Sequence, residues 1–167
     1  MAWTTPRTWI TGEVVTAAQL NQQLRDNANF LRIWPRYYSA APTNPGAIGA
    51  TETSVASVAV PAQNEPYRII PALFVQGTFS VASDGFNFKI REDSLTGTVK
   101  AAITEVFPSP TGARHVGLAD AIPVEVAGGG AKTIVGTVQR NSGTGTFTVS
   151  TSTGNGRLAA LVIPTEV

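Results

Sequence analysis

Cysteine is absent from the 167 residues, and there is one histidine, His115. Without thiols there can be no disulfide framework and no thiolate metal site, so stability has to come from packing and assembly. A lone histidine leaves little for a metal to bind, and neither a metal nor a cofactor is expected. Charge is also scarce. Asp, Glu, Lys and Arg together make up 14% of the chain, well under the usual quarter, and the net charge is +1. The twelve cations are scattered singly, with no basic stripe to displace counterions, so nucleic acid is not an expected partner. No apolar run approaches the roughly 18 residues needed to span a bilayer, and MAWTTPRTW has no apolar signal region. The chain is expected to be made in the cytoplasm, without membrane insertion.

Apolar residues reach 43%, enough for a real core. With so little surface charge, part of the exterior is suited to burial against other copies. Three textures follow one another: an extended arm over 1–15, a helix over 16–34, and short strands over 54–167. Between them the stretch 35–53 carries Pro35, Pro42, Pro45, Gly46 and Gly49. It reads as a linker, because each proline fixes φ and withholds an N–H from any ladder.

Thr16 with Gln19 three residues on makes a capping box, and Pro35 ends the helix. Ala17, Leu20, Leu24, Asn27, Leu31 and Trp34 fall at spacings of 3, 4, 3, 4 and 3, an a/d seam suited to identical helices. Asn27 is the polar residue that would set register. Three leucines and a tryptophan contribute about 1.5–3 kcal/mol each when buried. Ordering the helix costs about 1–2 kcal/mol per residue, so a trimer would also need contacts from the β region. The same pattern fits an amphipathic helix lying on its own domain, and Phe30 and Ile33 lie off the seam. Both readings stand at this level.

The remainder alternates with period two. Phe86, Phe88 and Ile90 oppose Asn87, Lys89 and Arg91. Val99, Ala101 and Ile103 oppose Lys100 and Thr104. Ile122, Val124 and Val126 oppose Glu125, and Phe147 and Val149 oppose Thr148. Glycine-rich turns separate the runs, and eight or nine such strands predict a mainly β fold, an antiparallel sandwich of jelly-roll type. Leu158 to Ile163 runs without a polar interruption, which predicts a strand covered on both faces.

Catalytic patterns are thin. His115 in ARHVG has no G-x-S-x-G nucleophile elbow to serve. Glu92 and Asp93 adjoin each other at a strand end, whereas a glycosidase needs carboxyls facing across a sugar. GGGAKT at 128–133 breaks P-loop spacing at Ala131. Trp3 and Trp9 flank Pro6 and Arg7 in the arm, where large rings serve either to anchor another protein or to staple the helix start.

Residues 3–31, WTTPRTWITGEVVTAAQLNQQLRDNANFL, resemble the N-terminal motif of small virion proteins of long-tailed phages, particularly those of actinobacterial hosts. That pattern is W-x-x-P-R-x-W, then G-E-x-V-T-A, then N-x-x-x-R-D-N, matched from Trp3 through Gly12 and Glu13 to Asn27. FKIREDSLTGTV, NSGTGTFTVSTS and RLAALVIP are similar to segments of the same proteins, while residues 35–70 carry no resemblance. The chain departs from the family at its last residues, where Ile163-Pro164-Thr165-Glu166-Val167 replaces a Val-Glu-Asp type of tail.

The resemblance implies a non-enzymatic, homotrimeric appendage of the virion. Trp3, Pro6, Arg7 and Trp9 would anchor it to other virion proteins, and the sandwich would project as a minor tail or fibre-like module, with host cell-envelope glycan as a partner. A capsid decoration protein or head fibre is the alternative. A polysaccharide depolymerase is the rival from another class.

Overall fold

A computed structural model describes residues 7–8, 10–26, 35–63, 65–109, 112–151, 154 and 156–165. Ten strands are described: β1 (Arg36–Ala40), β2 (Thr53–Val60), β3 (Tyr67–Phe79), β4 (Gly85–Glu92), β5 (Val99–Val106), β6 (Arg114–Leu118), β7 (Val124–Val126), β8 (Lys132–Ser142), β9 (Phe147–Val149) and β10 (Gly156–Pro164). They form two antiparallel sheets. One has the order β1-β10-β3-β6, with β7 and β9 also paired to β3, and the other has the order β2-β8-β4-β5. Consecutive strands repeatedly cross from one sheet to the other, and the two four-strand paths make the double Greek key of a jelly roll. The expected fold class is therefore the observed one.

Inward residues of both sheets build one core. Phe86, Phe88 and Ile90 of β4 are fully buried, as are Ile69 and Leu73 of β3 and Leu158 and Ala160 of β10. Phenylalanines crowd one part of it. Phe79 stacks on Phe107 at 3.7 Å between centroids, and Phe147 meets Phe88 edge-on at 5.4 Å. Gly77 lies against the Phe147 ring, and a Cβ there would clash with it at 2.3 Å from Cζ.

Several local expectations change. Arg36–Ala40, inside the stretch expected to be a linker, is an edge strand paired along its length with β10, and Ile48 bridges to Phe147 with 2% exposure. The prolines that suggested a linker lie at 35, 42 and 45, outside these pairings. Ile122 is exposed rather than inward. Pro123 has no N–H to give, and β7 begins only after it. Val99 is exposed too. The register shifts between Ile90 and Arg91, so that Ala101 opposes Ile90 while Val99 opposes Arg91. This bulge turns Val99 away from the core. On β10 the inward set Leu158, Ala160 and Val162 is buried, while Ala159, Leu161 and Ile163 on the other face are half-buried rather than covered.

Pro71 lies inside β3, a central strand. The β7 pairing of β3 ends at Ile69 and the β6 pairing begins at Leu73. The proline thus falls in the gap on that side, while on the other it lies opposite Ala160 of β10.

Candidate functional site

The N-terminal motif resolves into local physics. Glu13 N–H donates to the carbonyl of Ile10 at 3.0 Å, closing a turn in which Gly12 has φ +85°. That left-handed position suits glycine. Arg7 donates through its guanidinium to Glu13, and its backbone N–H donates to Gln23 Oε1 at 2.9 Å, tying the arm to the helix. Thr16 N–H donates to Gln19 Oε1 at 2.8 Å, and Gln19 N–H donates to Thr16 Oγ1 at 3.3 Å. This is the capping box expected from the sequence. The arginine and the Gly-Glu pair of the motif therefore act on each other, a relation that spacing alone had not exposed.

The helix itself differs from expectation. α1 (Ala17–Leu20) is α-helical, but Asn21–Asp26 continues with the wider i→i+5 bonding of a π-helix. A seam spaced for a regular α-helix is altered there. Leu20 and Leu24 are 47% and 60% exposed, so nothing in the described chain covers them, and α1 has no buried residue. Asn27, Leu31 and Trp34 of the expected seam, and Trp3, Pro6 and Trp9 of the expected anchor, lie outside the described residues.

Glu92 and Asp93 do come together, around a cation. Lys132 Nζ reaches Glu92 Oε1 at 2.7 Å and Asp93 Oδ2 at 2.8 Å, and Lys100 reaches Glu92 at 2.9 Å. The Lys132 ammonium holds both carboxyls below their ordinary range, and the two carboxylates in turn raise Lys132. A glycosidase acid has to be protonated at working pH, which needs the opposite shift. Gly128–Gly130 lies in the β7–β8 turn, where Gly129 takes φ +65° and the Gly130 carbonyl accepts from Tyr67 Oη. No helix follows it: β8 does.

The outer face of the β1-β10-β3-β6 sheet carries a cleft of about 550 Å³. Its geometry follows from register. Arg157 of β10 opposes Phe74 of β3, and Phe74 opposes Gly117 of β6, making one row across three strands. The next row pairs Gln76 with His115. Gly117 has no side chain to displace the Phe74 ring, and a Cβ there would sit 2.9 Å from it. The ring packs against the glycine and is still 51% exposed. Ser39, Pro42 and Gly156 complete the wall nearest β1. Gly156 is packed so closely that a Cβ would meet the Phe74 carbonyl at 2.7 Å and Pro42 Cγ at 2.8 Å. His115 and Gln76 touch through their Nε2 atoms at 3.2 Å. Sequence reasoning found no nucleophile elbow for His115 to serve and did not single out Phe74 or Arg157. Their proximity depends on β10 lying between β1 and β3, which no local pattern signals.

Among the described residues no group of three or more His, Cys, Asp and Glu could hold a metal ion, and no helix is long and apolar enough to cross a membrane. No protein-family profile matches the chain, and neither does any curated protein. Among solved structures 17 chains match. One is a chain of the structure of infectious bursal disease virus, Gx strain, at 10% identity and a TM-score of 0.40, over 80% of this chain and 33% of that one. The chain thus spans about a third of that chain's length.

Proposed function

We infer that the protein is a non-enzymatic structural component of a tailed-phage particle, a homotrimeric appendage attached by its N-terminal arm and helix with the β-sandwich outward. The observation that carries this reading is the dense W-x-x-P-R-x-W, G-E-x-V-T-A, N-x-x-x-R-D-N match joined to a jelly roll. Three features support it. The Arg7–Glu13 pair and the Thr16 cap give motif positions a local structural purpose. Leu20 and Leu24 are apolar and uncovered, as residues awaiting identical helices would be. Glu92 and Asp93, the adjacent acids, are committed to lysines.

Deleting residues 1–15 is expected to leave a folded, soluble oligomer that no longer enters particles. Immunoblots of purified virions check this, and normal incorporation of the truncated chain would move the anchor to the sandwich. Antibody labelling of virions in the electron microscope distinguishes a tail fibre from the alternative of a capsid decoration protein.

Light scattering of the full-length protein at micromolar concentration is expected to give three times the chain mass of 17.5 kDa. A monomer under those conditions removes the trimer from the reading. The low charge content and the half-buried outer row Ala159, Leu161 and Ile163 supply the apolar area that the short helix lacks.

A further inference from the structure

We propose that the cleft over Phe74 is a binding site for an acidic saccharide, with the ring as stacking platform and Arg157 as the carboxylate-binding group. The proposal supplies the ligand class for the adhesive role in the reading above and rests on it only to that extent.

The platform comes first. An aromatic side chain half exposed on a sheet face exposes apolar area to water, and here it packs against Gly117. A pyranose offers a flat face of C–H groups that covers such a ring while its hydroxyls point outward. The volume, about 550 Å³, lies within the ordinary range for small-ligand clefts of about 300–1,000 Å³, in which a few polar groups converge on an apolar floor.

Charge selects among sugars. No Asp or Glu lines the cleft, and the Arg157 guanidinium has no hydrogen-bond or ion-pair partner among the described residues. Its neighbour across the ladder is Phe74, so a ring stacked there has the cation beside it, about 4.8 Å away at the backbone. A planar guanidinium binds a carboxylate through two parallel N–H donors. On the other side stand His115 and the Gln76 amide. Gln76 Oε1 is buried without a partner, and turning the amide over would leave its nitrogen in that state instead. Buried polar atoms are nearly always satisfied, so an unpartnered one beside a cleft leaves room for a further donor from a ligand or a water. An extended peptide is the poorer candidate, because it binds by adding a strand to a sheet edge. The floor of this cleft, Phe74 and Arg157, lies on β3 and β10, the two inner strands of the β1-β10-β3-β6 path.

Direction adds a further argument. The chain comes into β1 at Arg36 and runs toward Ala40, whose partner is Leu158. Ser39, Pro42 and Gly156 at the cleft lie toward that far end of the strand, and Arg36 to Ala40 spans about 13 Å at roughly 3.3 Å per residue. An appendage held by residues before Arg36 turns the cleft away from its anchor.

Titration calorimetry on the full-length protein tests this with trigalacturonate, galactotriose and a triglutamate peptide. Trigalacturonate should bind saturably, about tenfold or more tighter than galactotriose. Arg157→Ala should bring the two sugars to the same weak affinity, and Phe74→Ala should weaken both by about tenfold or more. Both variants should melt like the parent, since each side chain is at the surface. No binding of trigalacturonate at about 10 mM, equal binding of the triglutamate, or wild-type affinity in Phe74→Ala would each overturn the proposal. Virion incorporation reads the attachment independently. Chains that incorporate but bind no sugar sink only this site, and chains that bind sugar but never reach particles sink only the virion reading.

Discussion

Replacing Phe147 by alanine is expected to lower stability by about 3–5 kcal/mol, the cost of emptying a large ring from a packed core. The residue is completely buried although its strand is only three residues long. Its ring lies 4.8 Å from Phe79, 6.0 Å from Phe86 and 5.4 Å from Phe88, so one residue joins both sheets. Its backbone exchanges hydrogen bonds with Ile48 at 2.9 and 3.0 Å, which holds the stretch before β2 onto the sandwich. Collapse cannot fill the void cheaply, because Gly77 against the ring has no side chain to swing in. For a domain of this size about 2–4 °C is lost per kcal/mol, so the melting temperature should fall by about 6–20 °C. A loss under about 1 kcal/mol would show that the aromatic cluster does not pack as described.

The second large effect belongs to Glu52. Its carboxylate accepts from Arg91 Nε at 2.6 Å and from the terminal nitrogen of the same guanidinium at 2.8 Å. Lys89 Nζ reaches it at 3.0 Å and Thr137 Oγ1 at 2.5 Å. Thr137 is fully buried, and the charged side chains are 14–17% exposed, so water cannot easily replace a lost acceptor. Glu52→Gln should destabilise by about 2–3 kcal/mol, toward the lower end for breaking a buried pair, because the network lies on a sheet face. Arg91, aided by Thr137 and Lys89 and opposed by burial, pulls the Glu52 carboxyl down to about 2 from its ordinary 4.5. A carboxyl lowered on folding stabilises fully above its unfolded value and loses that contribution as pH falls through the folded one. The group therefore contributes up to about 3 kcal/mol at neutral pH, lost between pH 4.5 and about 2. Melting curves from pH 7 down to 2 should fall more shallowly in that window for Glu52→Gln than for the parent. Parallel curves would remove Glu52 from the acid limb and leave Glu92 and Asp93 as its source.

What could be read in the sequence was whatever alternation encodes. β4 shows Phe86, Phe88 and Ile90 inward as its pattern requires, and the Thr16 cap is a four-residue signal that needs nothing distant. What escaped was set by partners far along the chain. β1 looks like linker because its order comes from β10, more than a hundred residues away. Val99 faces outward because of a bulge against β4, and Ile122 because the strand starts late. The cleft was invisible for the same reason. Phe74, Gly117 and Arg157 are unremarkable singly, and only register puts them in one row.

The position of β10 also governs how the chain can fold during synthesis. It lies between β1 and β3, so until Gly156–Pro164 has left the ribosome β1 has no neighbour and β3 shows an open edge bearing Ile70 and Phe74. Closure waits on pairings of very long sequence separation, and loop-closure entropy makes such topologies slow, on the scale of milliseconds to seconds. The nascent chain carries that sticky edge from the emergence of β3 until that of β10, a window in which copies made on one message can pair wrongly with each other.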